Sequence, residues 1–161
     1  MSGHEKRIWV TGAAGMLGTA LCPSLVKQGF QVSKTDLRPE DKATRPLDVS
    51  NYDEVWRSVQ QTRPDVVIHL AAIRNPLFTT PDVTFRVNVL GTFNVHEAAW
   101  KLGIHRVVST GSGAVLGFIY RDRDLLPEYL PIDEDHPNRL CAVCRAVASR
   151  NQNNPGAWDC R

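Results

Sequence analysis

The chain has 161 residues, 42% of them hydrophobic, which is the length of one domain with enough apolar side chain for a core, so a chain disordered throughout is excluded. Its formal charge of +2 is spread along the chain with both signs mixed, and neither nucleic acid nor an anionic membrane is expected as a partner, since both call for clustered bases. The polar start MSGHEKR lacks the apolar stretch of a secretory signal, no run approaches the roughly 20 residues that cross a bilayer, and the four cysteines form no disulfide framework. A cytoplasmic protein with reduced thiols is the expectation.

From Arg7 to Ser112, short β-branched runs alternate with longer helical ones, the pattern of a parallel sheet built from βαβ units. The expected strands are Arg7–Thr11, Gln31–Asp36, Asp65–Leu70 and Arg106–Ser109, with a short one near Thr44–Leu47. Helical stretches cover Gly15–Lys27, Tyr52–Gln61 and Pro81–Leu102, the last closed by the stop signal Lys101-Leu102-Gly103. Pro23 should kink the first helix or remove one hydrogen bond, at a cost of about 3 kcal/mol if the site were interior. After His136-Pro137 the character changes: the rest holds four arginines, no lysine and one acid, Asp159, with no clear period. Residues 1–137 are therefore expected to form an α/β domain, and 138–161 a divergent, irregular tail.

The strongest chemical signal is Thr11-Gly12-Ala13-Ala14-Gly15-Met16-Leu17-Gly18, a GxxGxxG spacing that closes one strand and opens one helix. Gly12 allows the tight turn, Gly15 removes the Cβ that would bar a pyrophosphate, and Gly18 lets the helix pack on the sheet. A phosphate then meets N–H groups at the positive end of the helix dipole, beside Met16 and Leu17. Asp36 closes the second strand about 20 residues further on, where a carboxylate accepts hydrogen bonds from a ribose diol and repels a 2′-phosphate. NAD is favoured over NADP, although Arg38 is the kind of residue a phosphate site uses. A P-loop is excluded because no Gly-Lys-Ser/Thr follows, and an S-adenosylmethionine site fits the later motifs poorly.

Those motifs come in order. Asp48-Val49, then His69-Leu70-Ala71-Ala72, then Asn88-Val89-Leu90-Gly91-Thr92 follow the glycine loop. Together they resemble the extended short-chain dehydrogenase/reductases, the NAD-dependent epimerase/dehydratase family typified by UDP-glucose 4-epimerase, from about Lys6 to His136. The resemblance implies a Rossmann-type parallel sheet with flanking helices and an NAD cofactor. It implies an adenine-contacting role for Asp48 and Val49, room for adenosine and ribose at Leu70, Ala71 and Ala72, and an active-site support at Asn88. His69 alone is more often a satisfied core histidine than a functional one.

In Ser109-Thr110-Gly111-Ser112-Gly113-Ala114-Val115-Leu116-Gly117, Ser112 resembles the family's catalytic serine or threonine, which hydrogen-bonds the reacting substrate oxygen; the bland alternative is a polar strand end. Family chemistry also uses a Tyr-x-x-x-Lys pair, in which the lysine lowers the tyrosine pKa. The sequence has three tyrosines, and the residues four beyond Tyr52, Tyr120 and Tyr129 are Trp56, Asp124 and Asp133. The chain thus reads as the front part of the family fold, lacking its later strands and substrate lobe, with a frameshifted or mis-spliced tail. Cys141-Ala-Val-Cys144 with Cys160 is weak as a metal or redox set, and no metal is expected.

Two functions remain open at this point. One is an oxidoreductase, epimerase or dehydratase acting on a sugar nucleotide or another small hydroxyl or carbonyl substrate, homodimeric in full-length relatives. The other is a non-catalytic dinucleotide-binding fragment or interaction module.

Overall fold

The computed structural model describes residues 6–75, 79–116 and 126–137. They belong to two compact units, Met1–Thr110 and Gly111–Arg161. In the first, β1 (Arg7–Thr11), α1 (Met16–Lys27), β2 (Gln31–Asp36), β3 (Thr44–Pro46), α2 (Tyr52–Thr62), β4 (Val66–His69), α3 (Pro81–Phe85), α4 (Thr92–Lys101) and β5 (Val107–Ser109) follow one another. The strands form one parallel sheet in the order β3-β2-β1-β4-β5, with β1 central. This is the expected Rossmann-type arrangement.

Both faces of the sheet are covered, so β1 reads as a continuous apolar run rather than an alternating one. Its side chains still alternate. Ile8 and Val10 face a cluster with Ala13 and Cys22, against which Leu25 of α1 packs. Trp9 faces a larger cluster with Val55 and Val59 of α2, Val67 of β4, and Val95, Ala98 and Ala99 of α4. Period two along one strand therefore supplies both cores.

The helix ends follow local chemistry. Asn51 caps α2 by accepting from Asp53 N–H and Glu54 N–H, and Glu54 answers by accepting the Asn51 Nδ2–H on Oε1 at 3.0 Å and the Asp48 N–H on Oε2 at 3.0 Å. This reciprocal cap is worth about 1 kcal/mol. At the end of α4, Gly103 takes φ +70° after Leu102, so the stop signal works as read.

Of the two outcomes expected at Pro23, the lost hydrogen bond applies: α1 runs unbroken through this exposed residue, which has no N–H to offer the Thr19 carbonyl. One expectation needs correction. The expected helix over Pro81–Leu102 is not uniform, because Arg86–Gly91 forms a π-helical turn between α3 and α4. Gly91 is buried in that turn, where a Cβ would come 2.7 Å from Val49 Cγ2. Among the described residues no strand pairs with the outer edge of β5. No helix among them is long and apolar enough to cross a membrane.

In the second unit a 3-10 turn spans Gly113–Leu116. Residues 126–137 fold around the buried His136, whose ring lies 5.0 Å from that of Tyr129 and whose Nε2 accepts Glu128 N–H at 3.2 Å. The tail expected over 138–161, with Cys141, Cys144 and Cys160, lies outside the described residues, as does Tyr120.

Candidate functional site

The three glycines of the loop do three different things. Gly12 has φ +70°, and a Cβ there would stand 2.5 Å from the backbone nitrogen of Ala71. Gly18 has ordinary dihedrals, yet its Cβ would meet the carbonyl oxygens of Gly12 and Ala13 at 2.5 Å. Both are therefore packing glycines. Gly15 is exposed, with φ −73° and ψ 171°, and a Cβ on it would find only the Gly12 oxygen, at 3.2 Å. It opens onto space where a ligand backbone can approach.

Gly15 also ends the loop at the N-terminus of α1, which has no side-chain cap and no acidic residue in its first turn. The first N–H groups of a helix lack intrahelical partners, and the dipole places positive charge there, so this twelve-residue helix presents an anion-binding end. Met16 and Leu17, 70% and 54% exposed, flank it.

Asp36 stands at the end of β2 and holds the loop directly. Its Oδ2 accepts the Ala14 N–H at 3.0 Å and its Oδ1 the Arg38 N–H at 3.0 Å. Each oxygen keeps a further lone pair for another donor. The tether to Ala14 is a role that sequence reasoning missed, since it needs the fold to bring residues 22 apart into contact.

The Asp48-Val49 pair divides. Asp48 is half-buried, and its Oδ1 accepts both Ser50 N–H at 2.9 Å and Ser50 Oγ–H at 2.8 Å. Val49 is 5% exposed and packs in the core, and its carbonyl accepts Asn94 Nδ2–H at 3.0 Å. Its side chain thus lines the wall from behind and leaves Asp48 as the member nearer solvent.

His69 is a satisfied core histidine, as the bland reading has it. Nδ1 lies 2.7 Å from Thr11 Oγ1 and Nε2 lies 3.1 Å from Thr92 Oγ1. Burial, with a smaller contribution from His96, pushes its pKa down to about 4, so the ring is neutral. Next to it, Leu70 and Ala71 are half-buried and Ala72 is exposed, at the open end of the sheet. Asn88 lies on the π-helical turn and reaches back to the same segment, accepting Ile73 N–H at 2.7 Å and donating to the Ile73 carbonyl at 3.0 Å. Both of its side-chain functions are spent on one residue's backbone, which makes it a brace.

The first unit thus brings together the glycine loop, Asp36, Leu70, Ala71 and Asn88. Ser112 belongs to the second unit, where it is exposed just ahead of the 3-10 turn. Sequence reasoning missed a pair at the end of β5: Ser109 Oγ lies 2.8 Å from His96 Nε2. Residues 13 apart on a strand and a helix give no local signal of that kind.

Comparison with known proteins agrees with this geometry. The profile of the NAD dependent epimerase/dehydratase family matches residues 8–153, running past His136, where the motif resemblance stops. UDP-glucose 4-epimerase of Mycolicibacterium smegmatis is 31% identical over 145 residues, covering 81% of this chain and 44% of that protein. L-arabinose 1-dehydrogenase (NAD(P)(+)) of Haloferax volcanii is 30% identical over 152 residues, covering 94% of this chain and 55% of that protein. The crystal structure of Thermus thermophilus UDP-glucose 4-epimerase in complex with NAD superposes with a TM-score of 0.70 at 26% identity, covering 91% of this chain and 51% of that one. The chain thus spans about half the length of the relatives it matches. With the ordered motifs, the parallel sheet and the profile match in agreement, the chain belongs to the NAD-dependent epimerase/dehydratase family.

Proposed function

We propose that this chain holds a nicotinamide dinucleotide, NAD in preference to NADP, across the carboxyl end of its sheet. The observation that carries the reading is the exposed, uncapped Gly15 at the start of α1, with Asp36 tied to the neighbouring Ala14. In this reading the pyrophosphate lies on the first turn of α1, next to Gly12, Gly15, Met16, Leu17 and Gly18. Asp36 uses its remaining lone pairs for the adenosine ribose, and its charge opposes a 2′-phosphate. Asp48 and Val49 border the adenine, Leu70, Ala71 and Ala72 leave room for the ribose, and Asn88 holds the wall of the site.

NAD, when bound, supplies hydride transfer, while the chain binds and orients it. The activity fitting this family is oxidation–reduction, epimerisation or dehydration of a sugar nucleotide or another small hydroxyl or carbonyl compound, with Ser112 toward the substrate oxygen. A second reading, dinucleotide binding without catalysis, is favoured by one observation: no tyrosine of this sequence has a lysine four residues on. Self-association belongs to the proposal too, supported by the exposed apolar side chains Phe85 of α3, Val89 of the π-helical turn, and Phe93 and Trp100 of α4.

Calorimetric titration of the chain with NAD and with NADP tests the cofactor assignment. Tighter NAD is the expected result. Equal or tighter NADP removes the role given to Asp36, and binding of neither overturns the reading.

A further inference from the structure

The hydrogen bonds around His69 run in one direction. Thr92 Oγ1 has a single hydrogen and gives it to the Asn88 carbonyl at 2.8 Å. Toward the imidazole it is therefore an acceptor, and Nε2, 3.1 Å away, must carry the ring proton. The bare Nδ1 then takes the Thr11 hydroxyl hydrogen at 2.7 Å, and Thr11 Oγ1 in turn accepts the Ala71 N–H at 3.4 Å. At the other end the Asn88 side chain grips both backbone groups of Ile73. Residues 71–73 are thus hung from the two ends of one relay, and His69 is the member that joins them. The same backbone lies against the glycine loop, where even a methyl group on Gly12 would overlap Ala71.

From this geometry we infer that His69 is a positioning residue for the dinucleotide site. Held as the Nε2–H tautomer, it fixes the backbone of residues 71–73 against the glycine loop and thereby sets cofactor affinity. The inference rests on the cofactor reading proposed above. It assigns His69 no contact with the ligand and no proton transfer, because the relay ends on backbone groups at both sides.

Nitrogen-15 correlation spectra of the histidine rings in the labelled full chain read the tautomer with no cofactor present, and calorimetry with NAD reads affinity. In the wild type, Nε2–H is expected. Thr92→Val keeps the shape and removes the acceptor, so the proton should move to Nδ1 and NAD affinity should fall about tenfold, the loss typical of one buried hydrogen bond; Thr92→Ser should restore both. If Thr92→Val does not fold, Thr11→Val serves instead: the tautomer stays Nε2–H and affinity falls by a similar factor. A wild-type Nδ1–H overturns the relay. A tautomer that moves in Thr92→Val with NAD affinity unchanged overturns the positioning role. A wild type that shows Nε2–H but binds no NAD overturns the cofactor reading itself, and the positioning role with it.

Discussion

Replacing Gly15 with valine should leave the protein folded and remove its affinity for the cofactor. Gly15 already has β-region dihedrals that a β-branched residue adopts, and the tightest contact of the new Cβ is with the Gly12 oxygen at 3.2 Å, a few tenths of an ångström of adjustment. At an exposed site of that kind the folding cost should stay near 0.5 kcal/mol. The pyrophosphate, by contrast, would be pushed off the N–H groups of the first turn of α1. Charge-assisted hydrogen bonds of that type contribute about 1.5–3 kcal/mol each, so losing two should weaken binding by a factor of about a hundred or more. Gly18→Ala reverses the pattern, since its methyl would run into two backbone oxygens at 2.5 Å. It should lower the unfolding midpoint strongly, as overpacking by one group costs about 1–3 kcal/mol. Urea titration and calorimetry on the two variants separate stability from binding. A Gly15→Val protein that keeps wild-type affinity would refute the placement of the cofactor.

Three further outcomes are expected. Asp36→Asn should weaken NAD and narrow the preference over NADP, since charge repulsion of a 2′-phosphate is lost while the amide oxygen keeps one loop contact; parallel titrations check it. His69 takes a proton near 6.5 when unfolded and near 4 when folded, so the unfolded state binds more protons between those values and stability falls as pH is lowered through that window. The effect amounts to about 3 kcal/mol at most, and urea midpoints across the window should lose that slope in His69→Gln. If α3 and α4 form a self-association surface, Phe93→Glu, at a site 60% exposed, should shift sedimentation to a smaller species without lowering the melting temperature.

What could be read from the residues was local. β-branched runs, the glycine spacing and the Lys101-Leu102-Gly103 stop each carry their own geometry, so the strands, α1 and the end of α4 fall within a residue or two of expectation. The π-helical turn is different. Residues 86–91 are compatible with an ordinary helix, and what accompanies the wider turn is tertiary: Asn88 reaches to Ile73 and Gly91 is pressed on Val49. The satisfaction of His69 likewise depends on Thr11 and Thr92, 58 and 23 residues away, which no window along the chain brings together. Asp36 was legible as a strand-end carboxylate, while its hold on Ala14 required the strand order. In the same way Val49 carries the motif, but only the packing of α4 against it decides that its side chain faces the core.

The tyrosine question turns on charge. A family-type dyad places a lysine beside the phenol, which favours phenolate and lets it exchange protons near neutral pH. Tyr129 has the opposite neighbour: its hydroxyl donates to Asp133 Oδ1 at 2.7 Å, and that bond, ahead of burial and of the charges on Asp133 and Glu128, raises its pKa to about 12. At neutral pH the phenol is therefore fully protonated and already committed as a donor, so it cannot take a substrate's proton. A positioned acid–base group contributes roughly 10²–10⁴-fold, and a serine hydroxyl such as that of Ser112, a poor acid and a poor base near neutral pH, does not replace it. This chain is expected to bind NAD without hydride transfer above background. Following the absorbance of reduced nicotinamide with sugar nucleotides and simple carbonyl compounds tests this, while ultraviolet titration of Asp133→Asn should bring the Tyr129 pKa back toward that of an ordinary phenol. Turnover by the unaltered chain would mean that the proton is handled elsewhere. The first place to look would then be the 2.8 Å pair of Ser109 and His96, where a hydroxyl at a strand end already has a base beside it.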